Sequence, residues 1–329
     1  MGKGDRLIFQ HAAPTRSGTS TRKSSLSPFF ATLSHSHHEV RLRQRGADVY
    51  VESMTSWTED DLVPRLEVEP AGKHDFESRL EGFDGRTFGG EVLAKAATAA
   101  LRTANERSLH SLHAYFLRPV PPDELVRFTV HALSNGRRLA SRRVAVHCAG
   151  RLAAEILVSL AADFEGSGFE DRPHPLDLPP PSDLPSLAEL AQAEGLPIMG
   201  TELLEWRHVE IPWRAAASGE PATARSWVRL RRPLPDEHRL HAAALTYLSD
   251  FGLLGIIRRR LGEAFEWNAS ASLDHALWLH RPFCWNDWIL IDSHTEIAYR
   301  GRVLVERRFY ASDGRRIATI AQEGLFGTK

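Results

Sequence analysis

The feature that most constrains this chain is that it repeats itself. Within 329 residues, one pattern of elements occurs twice, in the same order. In the first copy an apolar-periodic stretch runs from Phe88 to Asn105. Its Val92, Leu93, Ala96, Ala97, Ala100 and Leu101 fall on one helical face. A strand from Leu109 follows, ending Tyr115-Phe116-Leu117-Arg118-Pro119. Three more strands come next, at Leu125–Ser134, Leu139–Cys148 and Arg151–Phe164. Asn135-Gly136 between the first two of these predicts a tight hairpin turn with positive φ at both residues. In the second copy Asp236–Arg260 reads as the helix. A strand ending Trp278-Leu279-His280-Arg281-Pro282 follows, then strands at Trp288–Tyr299, Arg302–Tyr310 and Arg316–Gln322. Pro119 and Pro282 are 163 residues apart, and Gly150 and Gly314 are 164 apart. A further strand, Leu203–Trp213, precedes the second helix. One long helix followed by an antiparallel meander, twice over, is an α+β architecture.

Composition marks the boundaries. Residues 165–186 carry Gly and Ser and then six prolines, the makings of an extended linker. The expected organisation is an N-terminal unit over 55–164, a Pro-rich linker over 165–199 and a C-terminal unit over 200–329. Residues 1–53 differ from the rest. They hold 8 basic and 4 acidic residues, 12 Ser or Thr, and a cluster of His35, His37 and His38. With only short apolar pieces, such a segment cannot offset its ordering entropy, so it reads as disordered. Met54 opens the change in composition and is the expected true start.

Several function classes are excluded by what the sequence contains. The net charge of −1 lacks the basic excess of a nucleic-acid binder. The longest apolar run, Ala153–Ala162, is interrupted by Glu155 and Ser159 and falls far short of the roughly 20 residues of a membrane span. Residues 1–53 lack the apolar stretch of a secretory signal, and a cytoplasmic protein is expected. Two cysteines, Cys148 and Cys284, cannot by themselves form a zinc site. There is no Gly-x-Ser-x-Gly elbow and no Gly-rich phosphate loop of the Walker or Rossmann type.

Asp250 stands out from the remaining residues. Ala243, Tyr247, Asp250, Leu254 and Ile257 are spaced to form one stripe of the second helix. A carboxylate inside an apolar stripe is costly unless a hydrogen bond or a site accommodates it. The same desolvation raises its pKa toward the range of a general base. Ser272, Asp274, Ala276, Trp278 and His280 share one strand face by alternation, which separates Asp274 from His275. Gln322 continues the face of Ala318 and Ile320. Glu91 follows Gly89-Gly90 at the start of the first helix. There it is either a second catalytic carboxylate or a charge complementing the helix macrodipole. Arg137, Arg138, Arg142 and Arg143 flank the hairpin, either to meet an anionic ligand or as a solvated strand face.

These residues carry a resemblance. Phe88-Gly89-Gly90-Glu91-Val92-Leu93-Ala94 resembles the Phe-Gly-Gly-Gln signature of the acyl-CoA thioesterase II family. Leu112–Pro119, Leu248-Ser249-Asp250-Phe251, Ser272–Phe283 and Ala321-Gln322-Glu323-Gly324-Leu325 resemble its later motifs, in order, over about residues 62–329. The resemblance implies a double hotdog fold, each half a curved antiparallel sheet wrapped round its long helix. It implies hydrolysis of acyl-CoA to fatty acid and CoA without metal or other cofactor, and a homo-oligomer, a dimer or larger. It assigns function to Asp250, to Gln322 and to Ser272, which stands where the family has Thr. Glu91 and His147 stand where Gln is usual. The expected mechanism is direct attack of water, with Asp250 as base and Ser272 and Gln322 holding the water. The oxyanion then meets the helix N-terminus at Gly90-Glu91. Two other readings stay open at this level: a non-catalytic acyl-CoA-binding protein, and a hydratase acting on enoyl-CoA.

Overall fold

The computed structural model describes residues 40–45, 48–53, 62–83, 86–104, 106–170, 178–194, 203–211, 214–216, 222–262 and 265–328. In chain order, β1 (Val40–Arg45) and β2 (Asp48–Ser53) form an antiparallel ribbon with no other strand partner among the described residues. The stretch expected to be disordered therefore includes twelve residues of paired backbone, because an antiparallel pair closes its own hydrogen bonds locally. Residues 1–39 and Met54 lie outside the described residues. After α1 (Leu62–Leu66) come β3 (Glu69–Pro70), β4 (Asp75–Arg79), β5 (Gly82–Phe83) and β6 (Arg86–Thr87). The helix α2 (Gly89–Arg102) follows, then β7 (Ser108–Phe116), β8 (Leu125–Asn135), β9 (Leu139–Cys148) and β10 (Arg151–Ala161). The second copy has α3 (Leu187–Glu194), β11 (Leu204–His208), β12 (Ala222–Leu230), α4 (His238–Ser249) and α5 (Leu253–Leu261). It ends with β13 (Phe265–Ser272), β14 (Asp274–Leu279), β15 (Ile289–Tyr299), β16 (Arg302–Ala311) and β17 (Arg316–Thr328).

One antiparallel sheet runs through both copies, in the order β11-β12-β15-β16-β17-β14-β7-β10-β9-β8-β4-β3, with β13 also on β17. The copies meet where β7 pairs with β14, and there His113 faces Ala276. Those two residues are 163 apart, the same offset as Pro119 and Pro282. The strands in corresponding places of the two copies thus pair with each other at residues related by that offset. Alternation turns Leu112, Ala114, Phe128, Val146, Ile156, Leu277 and Ile320 inward onto the helices.

Helices α2 and α4 lie antiparallel inside this sheet. The start of α2 abuts the end of α4, since a Cβ on Gly90 would collide with the Tyr247 carbonyl oxygen. At the other end Arg239 of α4 donates to the carbonyls of Leu101 (3.4 Å) and Ala104 (3.2 Å), closing the C-terminus of α2. Arg142 pins the same end, donating to Thr103 Oγ1 (2.8 Å), Ser134 O (3.0 Å) and Asn135 Oδ1 (2.8 Å). Alanine both favours helix and allows this close packing. α2 is buried almost all round rather than on one face.

Three local expectations change. The helix expected over Asp236–Arg260 is two helices, broken at Asp250-Phe251-Gly252, where Gly252 takes φ +69°. A left-handed residue ends a helix and costs least as glycine. The expected linker carries α3, begun by a capping box. Ser186 Oγ accepts from Glu189 N (3.1 Å) and Glu189 Oε2 accepts from Ser186 N (2.7 Å). Asn135-Gly136 does make a hairpin, but neither residue has positive φ. Among the described residues, the two-residue positive-φ turns are Ala149-Gly150 and Arg300-Gly301.

Candidate active site

Asp250 is the residue at which α4 stops. Leaving the helix frees its side chain to reach across to the start of α2. Oδ2 accepts from Gly90 N at 2.9 Å, and Oδ1 accepts from Gln322 Nε2 at 2.9 Å. Gly89 is required for this approach, because a Cβ there would stand 2.7 Å from Oδ2. Burial pushes the carboxyl pKa up to about 6, against the lowering effect of the two hydrogen bonds and of the Arg307 charge.

Gln322 lies within β17, on the buried face of Ala318 and Ile320, and organises the group. Its amide donates one proton to Asp250 and the other to Ser272 Oγ, at 2.7 Å. With both protons used, its Oε1 accepts, and the His275 Nδ1 that meets it carries the proton. Ser249 Oγ lies 2.9 Å from His275 Nε2. Burial holds the imidazole neutral, with its pKa lowered to about 4.

His275 was not among the residues the sequence pointed to, and the reason is a bulge. Ser272 sits opposite Gly324 and Ala276 opposite Ala321, so β13–β14 spends one residue more than β17 over the same span. A bulge inverts the alternation. Ser272 and His275 therefore both turn to Gln322, whereas Asp274 turns away and accepts from Glu323 N at 2.7 Å. The expectation that Ser272 and Asp274 share a face fails for this reason.

A cavity of about 960 Å³ opens on this cluster. Phe88, Gly89, Val92 and Phe116 of the first copy border it, as do Asp250, Ser272 and Gln322 of the second. Glu91 does not. It is fully buried, makes an ion pair with Lys95 at 2.9 Å, and accepts from Glu81 N. The structure thus removes Glu91 from the cavity as a second carboxylate; it is a structural charge. Gly90 N–H is spent on Asp250 and Glu91 N on the Phe88 carbonyl at 3.1 Å, so neither points at an oxyanion. His147 also lies outside the cavity. Of the basic cluster, Arg142 is locked in the fold and Arg143 pairs with Glu155. Elsewhere, among the described residues, Asp236, His241 and Cys284 bring potential ligand atoms within 4.8 Å of one another. His241 Nδ1, however, accepts from Trp285 N (3.1 Å), which leaves the proton on the nitrogen facing Cys284.

The curved antiparallel sheet closed on its helices is a hotdog fold. It superposes on a hot dog fold protein from Alicyclobacillus acidocaldarius (TM-score 0.67, 15% identity, 82% of this chain and 98% of that one). Residues 78–163 match the model of the acyl-CoA thioesterase N-terminal domain, and residues 175–326 that of the C-terminal domain. The acyl-CoA thioesterase II TesB2 from Mycobacterium marinum is 30% identical, with TM-score 0.69 over 82% of this chain and 98% of that one. Acyl-CoA thioesterase 2 of Haemophilus influenzae is 29% identical over 279 residues, covering 81% of this chain and 92% of that protein. Acyl-coenzyme A thioesterase 8 of Mus musculus is 27% identical over 260 residues, covering 74% and 81%. The chain belongs to the acyl-CoA thioesterase II family.

Proposed function

We propose that the protein hydrolyses acyl-CoA thioesters by direct attack of water, with Asp250 as general base. The observation that carries this reading is Asp250 itself: a carboxylate on the cavity wall, held by two neutral donors, with a pKa of about 6. In that range it is ionised at neutral pH yet still takes a proton in the transition state. Water held by Ser272 and Asp250 attacks the thioester carbonyl carbon and passes its proton to Asp250. The tetrahedral intermediate collapses with cleavage of the C–S bond, and the proton on Asp250 goes to the departing CoA sulfur. Gln322 fixes both oxygen-bearing groups, and His275 is a positioning residue that holds the amide the right way round. The N-terminus of α2, which borders the cavity at Gly89, supplies positive potential to the developing oxyanion.

Release of free CoA from a panel of acyl-CoA esters, by the intact chain and by Asp250→Asn, tests this reading. Turnover lost in the variant with acyl-CoA binding retained supports it; equal turnover overturns it. A hydratase is less well served by this geometry. It needs an imidazole turned to the substrate, whereas His275 is engaged by Ser249 and Gln322 and does not border the cavity, and His208, which does, is hydrogen-bonded to Ser226. The double hotdog belongs to the same proposal, supported by the pairing of equivalent residues at His113 and Ala276. So does self-association through the outer sheet face, where Tyr115 (64% exposed) and Leu157 (53%) stand on adjacent strands. Light scattering tests it, with a monomer as the overturning result.

A further inference from the structure

Asp250, Ser272 and Gln322 form one end of a row of polar groups that continues across the sheet. On β16, Val305 faces Gln322, and Arg307 lies two residues further along the same face. That places its backbone about 7 Å along the sheet from Gln322. The Arg307 side chain is 3% exposed and borders the cavity. Its Nη1 donates to the Phe251 carbonyl. Its Nε has no partner among the described residues, and no carboxylate among them forms an ion pair with it. Burial lowers its pKa to about 10, so it remains charged at neutral pH. The charge acting on it is that of Asp250, whose oxygens are already taken by Gly90 and Gln322.

The strands beyond continue the row. Ser293 faces Arg307 across β15, and Ser226 and His208 follow on β12 and β11, joined by a 2.6 Å hydrogen bond. All three border the cavity. Its other walls are mostly apolar, including Val92, Phe116, Ile291 and Val303; Thr87, Ser270 and Arg118 also border it, and Arg118 is an exposed side chain that donates to the Leu152 carbonyl at 2.6 Å. A saturated acyl chain would fill this space and leave a buried guanidinium facing hydrocarbon. The charge that balances it is that of Asp250, which takes up a proton during turnover; a guanidinium left facing hydrocarbon is costly, and its planar fork matches a carboxylate in two-point geometry.

We propose that the cavity selects acyl-CoA esters whose acyl group carries a second carboxylate a short way beyond the thioester, and that Arg307 binds it. Ser293 stands beside that carboxylate as a further hydroxyl. This assignment rests on the thioesterase reading and adds a substrate class to it.

The test compares kcat/KM for glutaryl-CoA against pentanoyl-CoA, and adipyl-CoA against hexanoyl-CoA, using the full chain. The wild type is expected to favour the carboxylated ester of each pair by at least about tenfold. In Arg307→Met that preference should be lost, a fall of about tenfold or more, mainly through KM, while Arg307→Lys keeps part of it. A wild type that prefers the plain esters overturns the proposal whether or not either variant folds. Equal losses on both esters in the variants also overturn it, and leave Arg307 as a prop for the Phe251 carbonyl. Hydrolysis of neither ester overturns the thioesterase reading itself, a result distinct from hydrolysis without preference.

Discussion

The two copies of the repeat place a carboxylate at the junction of their helices, and the two carboxylates have opposite fates. Glu91 sits in the first turn of α2, a helix that runs unbroken for 14 residues. Lys95, one turn on, pairs with it, and that ammonium also bonds Ser78 Oγ and the Arg79 carbonyl. Asp250 sits where the second helix breaks after 12 residues, and its hydrogen-bond partners are neutral. Burial raises the pKa of both. Only Asp250 borders a cavity that a substrate can enter. A buried carboxylate becomes a base when its stabilising groups leave it a place to receive a proton; when a cation fills that place it becomes part of the scaffold.

The largest effect that would break this contrast is expected from Asp250→Asn. Its kcat should fall by about 10²–10⁴-fold with little change in KM, as steady-state kinetics would show. Next comes Gly90→Ala. The added methyl meets the Tyr247 carbonyl, which should cost about 1–3 kcal/mol in denaturant unfolding and shift the N–H that Asp250 accepts. A kcat at the wild-type level in this variant would separate the α2–α4 contact from the chemistry.

The pH profile sharpens the contrast further. Activity needs ionised Asp250, so kcat/KM should fall about tenfold per unit below an apparent pKa near 6. Stability moves the other way. The folded-state pKa lies above the unfolded one, so folding binds a proton here. That contribution is full below the unfolded pKa and is lost as pH rises through about 6. Measuring Tm against pH in wild type and Asp250→Asn isolates it. The smallest effect on turnover is expected from Glu91→Gln, whose kcat should stay within about threefold. Its stability should fall by about 1–3 kcal/mol, because Lys95 loses its counter-charge in a buried site. A large loss of kcat in this variant would return Glu91 to the chemistry.

Much of this was legible before any coordinates. Leu139–Cys148 is strand β9 residue for residue, since strong alternation and flanking turns leave little freedom. The separation of Asp274 from His275 also holds. The break at Gly252 was hidden because Tyr247, Asp250 and Ile257 keep helical spacing on both sides of it. The α3 signal, Ser186-Leu187-Ala188-Glu189, is a capping box in plain view, masked by the prolines before it.

What the sequence determined by itself is what depends on local spacing: the repeat, the element types, and Asp250 as a carboxylate out of place in an apolar stripe, with Ser272 and Gln322 added by the family resemblance. What only the tertiary structure decided depends on meetings between distant segments. Gly90 and Asp250 are 160 residues apart and Gln322 lies 72 beyond Asp250. Whether the Glu91 carboxylate, the His275 ring or the Arg307 guanidinium faces the cavity turns on an ion pair, a one-residue bulge and a strand register. No periodicity encodes these, because a bulge inverts alternation and desolvation is a property of what surrounds a group.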